Sequence, residues 1–365
     1  MIHLYQHVHP ASRWNSALRV NFFFVPMSHT LPPYNKPSLS YTQQLNQLKS
    51  RGLYIKDEDK ALHLLKHLSY FRLSGYWYPM LEEPKSSHIF KVGSTFENAF
   101  KLYCFDRDLR KFLVGELEKI EVAIRAQMIY VMSNSHGGFW YSDPSLFVDQ
   151  TKFIETQNAL KSEYKRSKEV FIKSFKSKYI NPLPPSWMIL EVSSFGTLSK
   201  LYSNLNGGQS KRDIANHFGL DDSTFQSWLH SFTYLRNVCA HHSRLWNKQL
   251  HISPAIPQSP TKAFITKYTR QNPIPGKKPL LNNNRTYFLL CMVIYLLNTI
   301  NSNHKAKYRL YNLFKKYPMI DVKALGFPDD WEKEELWNWE KVTNSQKFHV
   351  KVFSRIIKVF KAKNI

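Results

Sequence analysis

One short run, TYLRNVCAHHSRLWN (residues 233–247), gathers residue types that could do chemistry. If it forms a helix at about 100° per residue, Arg236, Asn237, His241, Arg244 and Asn247 share a polar arc of roughly 140°. Leu235, Val238, Cys239, Leu245 and Trp246 take the opposite side, and His242 falls among them and reads as structural. An ordinary amphipathic helix mixes signs on its polar face; this one carries no acid to pair either arginine. Guanidinium groups bind phosphate bidentately, and imidazole exchanges a proton near neutral pH. Together they suit cleavage of RNA without a metal. A base takes the 2′-OH proton, an acid protonates the leaving 5′-oxygen, and arginine meets the charge on phosphorus. The bland alternative is a structural histidine beside surface arginines. Base and acid work needs two proton-transfer groups, and the chain supplies one motif. The expectation is therefore a two-fold homodimer with Arg236 and His241 of both subunits facing one cleft.

The charge of the chain points the same way. Its 365 residues carry 51 Lys and Arg against 27 Asp and Glu, a formal net charge of +24. From Ser223 to Ile320 there are 98 residues with fourteen Lys and Arg and no Asp or Glu. Such a field favours a polyanionic partner, and RNA comes first. Lys248, Lys277, Lys278 and Arg285 lie in this stretch and join Arg244 and Asn247 as candidate RNA contacts. A hydrophobic content of 43% excludes a disordered basic tail. Cys104, Cys239 and Cys291 have neither metal nor redox spacing, which excludes a disulfide scaffold and fits a reducing cytoplasm. No Gly-rich phosphate loop or HExxH occurs, so no metal or cofactor is expected. His3, His7 and His9 make a poor metal set.

The elements that must position the site read as nearly all-α. Helical periodicity marks residues 40–80, with Gly52 a C-cap and Asp57 a helix start. Phe96–Ser133 is the longest pattern and, at about 35 residues, is expected to break somewhere. Helices follow over Lys152–Lys176, Trp187–Leu205 and Phe225–Leu250, with Asp221 or Asp222 as N-cap of the last. Residues 211–230 mimic a helix-turn-helix, but the second helix would lead with Asp221 and Asp222 into the major groove, which argues against DNA. A Pro-rich connection over 251–284 is long enough to be functional or partly mobile. Tyr287–Leu297 is apolar but shorter than the about 20 residues of a membrane span, so it reads as a core helix, and no stable membrane insertion is expected. Trp331, Trp337 and Trp339 form a C-terminal cap. Residues 341–365 read as a basic amphipathic helix suited to RNA, an anionic surface or docking. Residues 1–26 make a poor signal peptide and read as a non-native upstream extension, with Met27 as the expected natural start.

Five segments carry a resemblance: YNKPSLSYTQQLNQLKSRGL (34–53), YFRLSGYWYP (70–79), FDRDLRKFLVGELEKIEVAIRAQ (105–127), PPSWMILEVSSFGTLSKLY (184–202) and LRNVCAHHSRLWN (235–247). They resemble the Abi-like, AbiD/AbiF-type abortive-infection proteins, and Arg236-Asn237-x-x-x-His241 resembles the Rx4–6H motif of HEPN ribonucleases. The resemblance spans roughly residues 34–340. It implies an all-α HEPN-like bundle (N-terminal helices 34–95, core 96–250, C-terminal helices 285–340), a role against phage and an RNA target. It assigns Arg236, Asn237 and His241 to catalysis. Glu121 and Arg125 match a family pattern too, although four residues apart on a helix they read as an ordinary salt bridge. Glu191 reads as buried and bonded, or as support behind the site. The expected activity is a metal-independent endoribonuclease that leaves a 2′,3′-cyclic phosphate. The alternative is a non-catalytic protein that binds a regulatory or guide-like RNA.

Overall fold

A computed structural model describes residues 33–270, 275–278 and 280–337. The chain divides into two units, residues 1–40 and 41–365, and residues 33–40 of the first form no helix. The second unit is all-α among its described residues, as expected. Its helices are α1 (Tyr41–Ser50), α2 (Glu58–Leu68), α3 (Tyr70–Trp77), α4 (Phe96–His136), α5 (Gln150–Arg166), α6 (Val170–Lys178), α7 (Ser186–Ile189), α8 (Phe195–Asn204), α9 (Gln209–His217), α10 (Asp222–Ala240), α11 (Thr286–Ile300) and α12 (Ala306–Lys316). Residues 1–26 with their three histidines, Met27, Trp339 and the 341–365 tail lie outside the described residues.

α4 organises the unit. Thr95 caps its start by accepting from the Asn98 N–H at 3.1 Å, and Gly137, at φ 79°, ends it. The expected break is absent: the helix runs unbroken for 41 residues, about 60 Å. The reason is a buried stripe that never lapses. Leu102, Phe105, Leu109, Leu113, Leu117, Ile120, Ile124 and Met128 follow three- and four-residue steps. Helices α3, α8, α9, α10, α11 and α12 all pack along that rod.

Elsewhere the chain is more broken than its periodicity suggests. The expected helix over 152–176 splits into α5 and α6 at Ser167. The one expected over 187–205 splits into α7, a 3₁₀ turn and α8, which Ser194 caps by accepting from Thr197 N–H. α10 begins on Asp221, which accepts from Thr224 N–H at 2.8 Å, so the acidic pair at 221–222 is a cap.

α11 is the core helix. Every residue from Thr286 to Leu297 is buried, and α4, α10 and α12 pack on it. No helix among the described residues is long and apolar enough to cross a membrane. The described part of the Pro-rich connection is pinned to the bundle. Trp228 Nε1 donates to the Ala255 carbonyl at 2.9 Å, and Glu334 accepts from the Thr266 and Lys267 N–H groups at 2.8 Å. The connection also holds a two-residue antiparallel pair, β1 (Thr269–Arg270) and β2 (Leu280–Leu281). Phe327 and Trp337 pack on Tyr287, and Trp331 packs edge-on against both, as an aromatic cap.

Candidate functional site

α10 stops at Ala240, ten residues short of the end expected at Leu250. Its last turn closes as a Schellman motif, with His242 N–H donating to Cys239 O at 3.1 Å and Ser243 N–H to Val238 O at 2.9 Å. The residue past the cap must then be left-handed, a place glycine usually fills. Here His242 fills it, at φ 56°. The sequence therefore carries no glycine stop signal, and the apolar pattern of Leu245 and Trp246 reads on as helix.

The correction divides the expected site. Arg236, Asn237 and His241 stay together at the C-terminal end of α10, all exposed. Arg236 Nη1 lies 3.4 Å from Asn237 Oδ1, and no acid pairs with Arg236 among the described residues. The negative end of a helix macrodipole repels anions, so a phosphate here depends on these side chains rather than on backbone N–H groups. Arg244 leaves this face. It packs on Gly75 of α3 and donates to the Gly75 carbonyl at 2.5 Å, a structural role where RNA contact was expected. Asn247 sits in a separate left-handed turn at φ 47°. His242 is exposed instead of lying among apolar side chains.

The turn after His241 is held from below by residues the sequence reading passed over. Asp106 of α4 has no exposed surface and accepts from Trp246 N–H at 2.8 Å and Leu245 N–H at 3.2 Å. Tyr76 Oη donates to it at 2.7 Å and Arg110 Nη1 at 2.5 Å. Burial holds the Asp106 carboxyl above its ordinary value, against the downward pull of Arg110 and the other donors. Every group facing it donates, and only an ionised carboxylate accepts all of them. Arg72 of α3 adds a bond to the His242 carbonyl at 2.9 Å, Arg110 reaches Ser243 O at 3.3 Å, and Thr286 of α11 reaches Leu245 O at 3.1 Å. Three helices thus fix the backbone that carries His241. One signal was available: Asp106 and Arg110 fall in register with Phe105, Leu109 and Leu113, a charged pair on an apolar stripe. Cys239, one turn away, is buried, which pushes its thiol up to about 12 and keeps it protonated.

The remaining expected residues scatter. Lys248 is half-buried after the turn, and Lys277 and Lys278 are exposed between β1 and β2, away from α10 in the chain. Arg285 caps α11 and donates to the Ala324 carbonyl at 2.6 Å, so its guanidinium serves the fold. Glu121 and Arg125 form the expected ion pair at 2.8 Å, and Arg125 also donates to Ser193 O, tying α4 to the segment before α8. Glu191 lies 3.8 Å from Arg125 with its side chain 51% exposed, so it is not buried as expected. Two further cations of the acid-free stretch are also used internally: Arg309 pairs with Glu116 and Lys316 with Asp108, both on α4. Among the described residues no group of three or more His, Cys, Asp and Glu is placed to hold a metal ion.

The comparison with known families meets this geometry. No curated protein and no solved structure matches the chain. A family model described as Abi-like protein matches residues 63–247, just over half of the chain, and its span includes α3, α4, α10 and the turn that Asp106 holds. Arg236, Asn237, His241 and the supports from α3 and α4 lie inside the matched segment, the Thr286 support from α11 lies beyond it, and the chain belongs to the Abi-like family.

Proposed function

We propose that the protein is a metal-independent endoribonuclease of abortive-infection type, acting at the end of α10. One observation carries this: an exposed arginine without an acidic partner shares a helix end with an exposed histidine, and hydrogen bonds from three helices hold the turn that follows. That is what pre-organised phosphate chemistry requires. Family membership supports a defence role, and the HEPN motif resemblance supports RNA as the substrate.

In the proposed reaction His241 of one copy takes the 2′-OH proton. The 2′-oxygen forms a bond to phosphorus, and the bond from phosphorus to the 5′-oxygen breaks. His241 of a second copy gives its proton to that 5′-oxygen. The products are a 2′,3′-cyclic phosphate and a 5′-OH. Arg236 meets the charge on the phosphoryl oxygens, and Asn237 supplies a neutral hydrogen-bonding group beside it. The two histidines make the enzyme a two-fold homodimer.

The test is His241→Ala in the full chain. Cleavage should vanish while RNA affinity changes by less than about threefold, a difference under 1 kcal/mol. Dilution should abolish activity as the dimer dissociates. Tight RNA binding by the wild type without cyclic-phosphate ends would replace this reading with sequestration of a regulatory RNA, to which a single histidine per chain is no obstacle.

A further inference from the structure

Phe71 is the outlier of α3. It is 88% exposed, the most exposed phenylalanine among the described residues, and it sits in the first turn of its helix. Its neighbour Arg72 donates to the His242 carbonyl at 2.9 Å, which fastens this turn of α3 to the turn that follows His241. Backbone strain collects here. Ser69, the N-cap of α3, has φ 66° and ψ 149°, a region that is essentially reserved for glycine. His242 is left-handed at φ 56°. Two strained non-glycine residues are joined through Arg72, and its chain neighbour Phe71 leaves its ring in solvent. Strain of this kind persists where the surroundings over-determine the backbone, and it concentrates at functional sites.

The surroundings select the occupant. Lys66 and His67, in the last turn of α2, and Arg72 itself are all exposed. A protein partner would want a wider apolar patch with charge kept to the rim. A flat exposed ring with Arg72 next to it in the chain and Lys66 at the end of the preceding helix matches an unstacked nucleobase on the ring and its phosphates on the cations.

We propose that Phe71 is the base-stacking platform of the site, so that the substrate is single-stranded RNA with one nucleobase unstacked onto α3 next to the reacting phosphate. This rests on reading the α10 end as an RNA-cleaving site. A stacked base fixes which phosphate reaches Arg236 and His241, and paired RNA cannot offer one. Phe71 is therefore a positioning residue that acts on the choice of substrate.

The experiment uses the full chain in a His241→Ala background, so that bound RNA stays intact. A short single-stranded RNA carrying 5-iodouridine is irradiated on the protein, and the adduct is mapped by mass spectrometry. The expected adduct lies in the tryptic peptide His67–Arg72, at Phe71. Phe71→Ala should weaken binding of the single strand by about 10- to 100-fold, Phe71→Tyr by no more than about threefold, and affinity for a duplex of the same sequence should not change. The exposed ring packs on nothing in the core, so the variant folds. Adducts confined to other peptides, or an unchanged single-strand affinity in Phe71→Ala, would overturn the inference and leave the proposed nuclease standing. Absence of any RNA binding by the parent protein would remove both.

Discussion

Asp106 offers the sharpest test of how the site is built. Its carboxylate is the common acceptor of a tyrosine hydroxyl, a guanidinium and two backbone N–H groups, and both it and Arg110 are almost wholly buried. Asp106→Asn keeps the shape and removes the charge. The new amide would direct N–H groups at a shell made of donors, and Arg110 would stay buried with no counter-ion. Removing one partner of a buried pair costs about 3–5 kcal/mol, and the stranded backbone donors fall within the same figure because these terms are not additive. A chain of this size should lose roughly 4–7 °C in melting temperature. Calorimetry or urea unfolding measures this, and ribonuclease assays on the fraction still folded report on the turn. Activity should fall further than the folded fraction, because the slackened backbone is the one that carries His241. Replacing both partners, as in Asp106→Leu with Arg110→Met, should recover part of the stability. A loss below about 1 kcal/mol in Asp106→Asn would mean that packing of Leu245 and Trp246 alone holds the turn, and the argument would fail.

Three other outcomes follow from the same geometry. His242→Gly should stabilise the fold by about 0.5–1 kcal/mol, since glycine carries no penalty at φ 56°; a lower melting temperature would show that the imidazole makes a contact of its own. Arg244→Ala should cost about 1–2 kcal/mol in stability through its lost bond to Gly75, while Arg236→Ala leaves stability alone and weakens RNA binding; the reverse pattern in paired melting and binding assays would restore Arg244 to the RNA surface. Burial, with Lys307, Lys119 and Arg309 nearby, pushes His304 down to about 4. Its stabilising contribution is complete above its ordinary value near 6.5 and declines as pH falls toward 4, by about 1–2 kcal/mol at pH 5; a His304→Gln protein with the same acid profile would refute the assignment.

Much of this molecule is legible in its sequence, and the failures have physical causes. The uniform apolar run of α11 could only be a core helix, and Asp57 and Asp221 announce helix starts through cap chemistry that needs no tertiary context. The end of α10 was hidden because a histidine occupies the left-handed position that glycine normally marks. The continuity of α4 was hidden because length alone argues for a break, whereas the helices packed along it argue against one. The Arg236, Asn237 and His241 cluster was readable from spacing. The Asp106 support was not, because its partners lie 139 and 140 residues away and are backbone groups that carry no residue-specific signal.

The pairing of α12 with α4 bears on how the electrostatics will look in solution. Glu116, whose side chain is 2% exposed, and Asp108 draw Arg309 and Lys316 out of the cationic field and use them to hold α12 down. Added salt then acts twice. It would weaken the proposed RNA binding through counterion release, and it screens the bonds that clip α12 to the central rod. An affinity measured across ionic strength will therefore fall more steeply than the number of bound phosphates alone dictates. A phosphate count taken from that slope will come out too high unless the melting temperature is followed along the same titration.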